Sequence, residues 1–209
     1  MKNILFIFFL MLATYCYSQN DEAFVDSLVA QKMAELEMQA NPEYFFRKDY
    51  CEGNIQMFTM PDGNLCTSKS TYYAVYVFWK KDENTFNFQK FDNCGRYMPI
   101  TISLKKQMEK LLKNKESFKK ENVKPYEGEK VDAAAFENMS VSNCVKEFKF
   151  VLEGAIIEKS FKEFDLTNDS KYKNIHFEYN NSLALIEFDK KISEMIKYME
   201  ENGKFFREK

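Results

Sequence analysis

YYAVYVFWKKDENTFNFQKFDNCGRY, from Tyr72 to Tyr97, is the stretch around which the rest of the chain is organised. Tyr73–Trp79 is apolar on both alternating faces and rich in the β-branched and aromatic residues that suit a pleated surface, which predicts a buried, central strand. Lys80-Lys81-Asp82-Glu83-Asn84 breaks the run with charge. Strand character resumes at Thr85, with Phe86 and Phe88 on one face and Thr85, Asn87 and Gln89 on the other, the pattern of a half-buried strand. Two such runs separated by a few polar residues pair as a β-hairpin. Asp92-Asn93-Cys94-Gly95 then turns the chain out of it.

On the N-terminal side, Asn54–Met60 followed by Pro61-Asp62-Gly63-Asn64 reads as a strand entering a tight turn, with Leu65–Thr67 returning beside it. Glu43–Asp49 has an ambiguous pattern. Asn20–Gln39 is an amphipathic helix, with Val25, Leu28, Val29, Met33 and Leu36 at helical spacing and Asp21 and Glu22 complementing the dipole of its first turn. It ends at Asn41-Pro42, and two placements are open to it: packed on the domain, or standing off as a stalk.

On the C-terminal side, Pro99–Ile102 is extended, and Ser103 is suited to cap a helix carrying Leu104, Met108, Leu111 and Leu112 on one face. Val123–Asn138, with Pro125, Gly128 and scattered charge, predicts a long loop with one helical turn at Asp132–Phe136. Val145–Glu158 returns to β character, and Ile175–Tyr179 reads as a last short strand. Asn181–Asn202 is the clearest helix: Leu185, Phe188, Ile192, Met195 and Met199 form one seam, expected to face the sheet that holds Trp79, with Gly203 as C-cap. Strands clustered between helices predict an α+β fold, a mostly antiparallel sheet with a central aromatic hairpin packed by an N-terminal, a middle and a C-terminal helix.

Residues 1–18 have the layout of a secretory signal peptide: Lys2, the apolar run Ile4–Ala13, and Cys16 and Ser18 three and one before the expected cut. A membrane anchor would need roughly 20 apolar residues, about twice this run. A lipidated Cys16 is disfavoured by bulky Tyr15. The expected organisation is a signal peptide at 1–18, an N-terminal helix at 19–42 and one α+β domain at 43–209. Cleavage takes one of 30 basic side chains and one of five cysteines, leaving 29 basic against 32 acidic and four cysteines. That balance offers no broad positive field for nucleic acid or anionic lipid. No second apolar segment is long enough for a transmembrane helix.

Cys51, Cys66, Cys94 and Cys144 lack Cys-x-x-Cys or histidine spacing, so zinc and dithiol chemistry have no support, whereas an exported chain with an even count favours two disulfides. Of the three connectivities, Cys51–Cys66 with Cys94–Cys144 is expected, since the first would staple the hairpin over Asn54–Thr67 and the second would tie the central hairpin to a late strand. His176, the single histidine, would share a strand face with Glu178, the one local pair suited to acid–base work. Asp165-Leu-Thr167-Asn-Asp169-Ser170 begins like a calcium loop, but Ser170 and His176 stand where an EF-hand needs glycine and glutamate. There is no phosphate-binding glycine loop, Gly-x-Ser-x-Gly or His-Glu-x-x-His, and no cofactor is signalled. Tyr72, Tyr73, Tyr76, Phe78 and Trp79 read as core rather than a base- or sugar-stacking platform, because they fall on both faces of one strand. Asn138, Asn168 and Asn180 fit the N-glycosylation triplet. The expectation is an exported, periplasmic or secreted, non-enzymatic binding or accessory domain for a protein or cell-envelope partner. The alternative is a small carboxylate-dependent envelope hydrolase using residues such as Glu178 with His176.

Overall fold

The computed structural model describes residues 20–39, 42–128, 142–168 and 173–208. The expected signal peptide, the helical turn at Asp132–Phe136 and Asn138 lie outside the described residues.

A seven-stranded sheet dominates, with every named pair antiparallel. Its strands are β1 (Tyr44–Cys51), β4 (Tyr73–Lys80), β5 (Thr85–Asp92), β6 (Gly95–Arg96), β7 (Ile100–Ser103), β8 (Cys144–Leu152) and β9 (Ala155–Lys162), in the order β6-β5-β4-β1-β8-β9 with β7 also on β5. A separate small hairpin joins β2 (Met57–Thr59) to β3 (Leu65–Thr67). The helices are α1 (Glu22–Glu37), α2 (Lys105–Lys113), α3 (Lys115–Lys120), α4 (Phe177–Ser182) and α5 (Ala184–Glu201). The fold is therefore α+β, built on an antiparallel sheet with the aromatic β4–β5 hairpin inside it.

The sheet is covered on both faces, which explains why β4 is apolar on both. Phe45, Ala74, Tyr76, Phe78, Phe88, Phe148 and Phe150 share one core with Leu185, Phe188, Ile192 and Ile196 of α5 and Met108 and Leu111 of α2. Tyr44, Val75, Val77, Trp79 and Phe91 form the other core with Val25, Leu28, Val29, Met33 and Leu36 of α1. Thus α1 packs on the sheet through the stripe its spacing predicts, and the Asp21 carboxylate caps it by accepting from Phe24 N–H at 3.0 Å. Trp79 lies beneath α1, with Lys32 Nζ 4.3 Å from its ring centre, and not beneath the C-terminal helix. The α5 seam does pack on the sheet, but on the opposite face.

Several local readings are corrected. Of the ambiguous stretch Glu43–Asp49, Tyr44 onward belongs to the inner strand β1, flanked by β4 and β8. Strand β5 is far more than half buried, because Gln89, Lys90 and Asp92 lie inside with partners. Val145–Glu158 is not one run: Glu153 and Gly154, both at positive φ (48° and 74°), make the two-residue turn between β8 and β9. Ser103 stays in β7 and Leu104 takes the N-cap position without a side-chain bond. Ile175–Tyr179 is not a strand, since Phe177 already starts α4. Asn181–Asn202 divides at Leu183, whose extended backbone (ψ 140°) separates α4 from α5. At the far end Gly203 (φ 58°) closes α5, with Lys204 N–H on Met199 O and Gly203 N–H on Glu200 O.

The four cysteines among the described residues are paired, but otherwise than expected: Cys51–Cys144 and Cys66–Cys94. Cys51 and Cys144 face one another in register across β1 and β8, a neighbourhood that no local pattern announces. Cys66, the buried residue of β3, reaches Cys94 in the turn after β5 instead of the expected Cys51 at the end of β1.

Candidate functional site

A cleft of about 560 Å³ opens on the α5 face at the sheet end marked by Cys51. It is there because Ala74 is short: its flanking same-face neighbours on the chain, Tyr72 and Tyr76, are large, and the gap between them is the floor. Asp49 of β1 and Lys90 of β5 complete that floor. Asn54, Gln56 and Phe58, leading into and along β2, also line the cleft, and the Cys66–Cys94 bridge ties that hairpin to the sheet. The C-terminal segment contributes Glu200 at the end of α5, then Gly203 and Phe205. Gly203 reverses the chain, and the tail is laid along the sheet edge by Met98 N–H on Phe206 O (2.7 Å) and Glu208 N–H on Arg96 O (3.0 Å).

Charge in and under the cleft is compensated pairwise. Lys90 Nζ lies 2.9 Å from Glu200 Oε1 and 5.1–5.6 Å from the ring centres of Tyr76, Tyr97 and Phe205, so one carboxylate and three ring faces surround a buried ammonium. The Tyr76 hydroxyl donates to the same Glu200 oxygen at 3.2 Å. Arg47, 4 % exposed, holds Asp49 and lies 3.0 Å from Asp189 Oδ1, and Lys146 reaches the other Asp189 oxygen at 2.9 Å. Burial works to lower the Arg47 pKa, but the hydrogen bond and charge of Asp49, with the charge of Asp189, carry it above the ordinary value. Burial pushes the Asp49 carboxyl up, against the pull of Arg47.

Asp92, fully buried beside the cleft, accepts both Arg207 Nη atoms (2.8 and 2.7 Å), the Tyr72 and Tyr97 hydroxyls (3.2 and 3.0 Å) and the Cys94 N–H (2.8 Å). The Arg207 guanidinium stacks over Tyr97 (4.3 Å) and Phe58 (4.9 Å), which fixes the tail against the small hairpin. Burial first, and then the Asp92 charge, hold the Tyr72 and Tyr97 phenols well above their ordinary value; burial and Glu200 do the same for Tyr76. At neutral pH these three are hydrogen-bond donors and never phenolate bases.

The residues singled out for chemistry do not meet here. His176 precedes α4 with Nε2 3.3 Å from Glu127 Oε2, Glu178 is exposed on α4, and neither lines the cleft. Asp165 serves structure: its Oδ1 accepts Tyr126 N–H at 2.8 Å. Among the described residues no group of three or more His, Cys, Asp or Glu is placed to hold a metal. Asn180 is fully buried and bonds Lys124 N and O and Asp165 O, so that triplet is closed to glycosylation in the folded chain. The five aromatics read as core do pack in the two cores, Tyr72, Tyr76 and Phe78 in one and Trp79 with Tyr73 in the other, and Tyr72 and Tyr76 line the cleft as well. Asp49, Lys90, Asp92 and Glu200 escaped the sequence reading. The available signal was a charge at an inward strand position, as with Lys90 and Asp92 two and four residues after Phe88.

No family model, no curated protein and no solved structure matches the chain.

Proposed function

We propose that this protein is an exported, non-enzymatic binding or accessory domain whose ligand, a component of the cell envelope, sits in the Ala74 cleft. The observation that carries the reading is that each ionic group lining the cleft already has a partner: Glu200 and Lys90 pair with one another, and Asp49 pairs with Arg47 beneath it, while the neighbouring Asp92 is held by Arg207. Such a site presents a shaped, neutralised surface and commits its carboxylates to fixed partners. Its volume lies within the roughly 300–1,000 Å³ of ordinary small-ligand sites. Export is supported by the signal-like leader and the two disulfides. Among the described residues no helix is long and apolar enough to cross a membrane.

The test compares the mature chain with Ala74→Leu, which fills the floor of the cleft. Both are immobilised and exposed to an envelope extract of the producing cell. A component retained by the first and lost from the second, with both chains melting cooperatively, supports the reading. Equal retention, or none, refutes it, and turnover of the retained component would move the protein into the hydrolase class.

A further inference from the structure

We propose that the cleft takes a neutral carbohydrate, a short oligosaccharide bound by ring stacking and by hydrogen bonds to its hydroxyls. The inference rests on the binding reading above and adds the chemical class of the ligand. A saccharide offers two kinds of surface at once: apolar C–H faces and a rim of hydroxyls that both donate and accept.

The cleft is built for both. Phe58 and Phe205 both line the gap and are each half buried; Arg207 covers one face of Phe58 and Lys90 one face of Phe205, so a sugar would stack on the ring area that these cations leave exposed. They are held rigidly, Phe58 5.4 Å from Tyr72 and Phe205 5.8 Å from Tyr97, and preorganised rings lose little freedom when a ligand stacks on them. The polar lining, Asp49, Asn54, Gln56, Lys90 and Glu200, supplies carboxylate acceptors, an ammonium donor and amides that do both. Charge then excludes the competitors. The two acids among these are paired with Arg47 and Lys90, so an anionic or cationic ligand would meet no uncompensated partner and would lose hydration without return. A purely apolar ligand would strand the same polar groups. Hydroxyls satisfy them without bringing charge.

The experiment titrates the full mature chain with neutral oligosaccharides (maltohexaose, cellohexaose, chitohexaose, and the neutral glycan fraction of the producing cell's own envelope) and with oligogalacturonate as the acidic counterpart. Calorimetry reads affinity, and saturation-transfer NMR reads which sugar protons meet aromatic rings. Binding of a neutral sugar, unchanged between low and high salt and weakened about tenfold or more by Phe205→Ala, as loss of a stacked ring requires, is the expected result. Phe205 also packs on Tyr97, so Asn54→Ala, at an exposed position, is the second variant and is expected to weaken binding with an unchanged melting curve. Binding of the acidic sugar alone, salt-sensitive binding, or no binding across the panel overturns the carbohydrate assignment. If the Ala74-dependent envelope component is still retained in that case, the cleft reading stands and only the ligand class falls; if it too is absent, both fall.

Discussion

Arg207→Met tests the buried centre on which the cleft wall hangs. Asp92 is wholly buried, and Arg207 gives it two of its five hydrogen bonds and its only cationic partner among the described contacts. Hydrogen bonds to a charged group are worth about 1.5–3 kcal/mol each, so two lost bonds bound the cost at roughly 3–6 kcal/mol. Breaking a buried pair by removing one partner costs about 3–5 kcal/mol. The phenols of Tyr72 and Tyr97 and the Cys94 N–H remain to solvate the carboxylate, so we expect about 3–4 kcal/mol within these ranges. In a domain holding roughly 5–15 kcal/mol that is a large fraction. Urea unfolding of the single and double variants gives the measurement. Asp92→Asn alone should also destabilise, but Arg207→Met added to it should cost much less than Arg207→Met alone, because the uncompensated charge is gone. A single-variant loss under about 1 kcal/mol, or strictly additive losses, would refute the claim that this pair anchors the tail.

Peptide mapping without reduction should recover Cys51–Cys144 and Cys66–Cys94; in the chain-entropy account their 93- and 28-residue separations correspond to about 4.7 and 3.6 kcal/mol, so removing the first bridge should lower stability more. Leu36→Asp in α1 should expose Trp79 to a quencher, whereas Ile192→Asp, on the other face, should destabilise the fold by at least the roughly 2–5 kcal/mol of a core truncation without a selective effect on Trp79 in the folded state. Tyr72, Tyr76 and Tyr97 have folded pKa values above the ordinary 10.0, so the stability they carry is complete below pH 10 and is lost as pH rises further. Their phenolate absorbance, isolated from that of the other tyrosines by difference spectra against single Tyr→Phe variants, should therefore appear only with unfolding in an alkaline titration, and titration of these three near pH 10 in folded protein would contradict the burial described.

Amphipathic spacing is enough to mark α1 and most of α5, because a helix repeats every 3.6 residues and its buried stripe is written into the chain. The β4–β5 hairpin, the capping Gly203 and the oxidised state of the cysteines are legible for the same kind of reason: each depends on neighbouring residues or on the compartment. The inner strand β1 is not, since Arg47, Lys48 and Asp49 break its apolar pattern, and their burial is tolerable only through partners far along the chain. Arg47 is completed by Asp189 and Ser193 under α5, and Lys48 by Glu22 and Asp26 of α1. Which cysteines pair follows from β1 lying beside β8, and the cleft needs Asp92 and Arg207, 115 residues apart, to come together. The chain alone thus determined the fold class, its amphipathic helices and the disulfide-bonded state of Cys51, Cys66, Cys94 and Cys144. Tertiary structure alone decided strand order, disulfide connectivity and the site, because a buried charge is stable only where a remote opposite charge meets it.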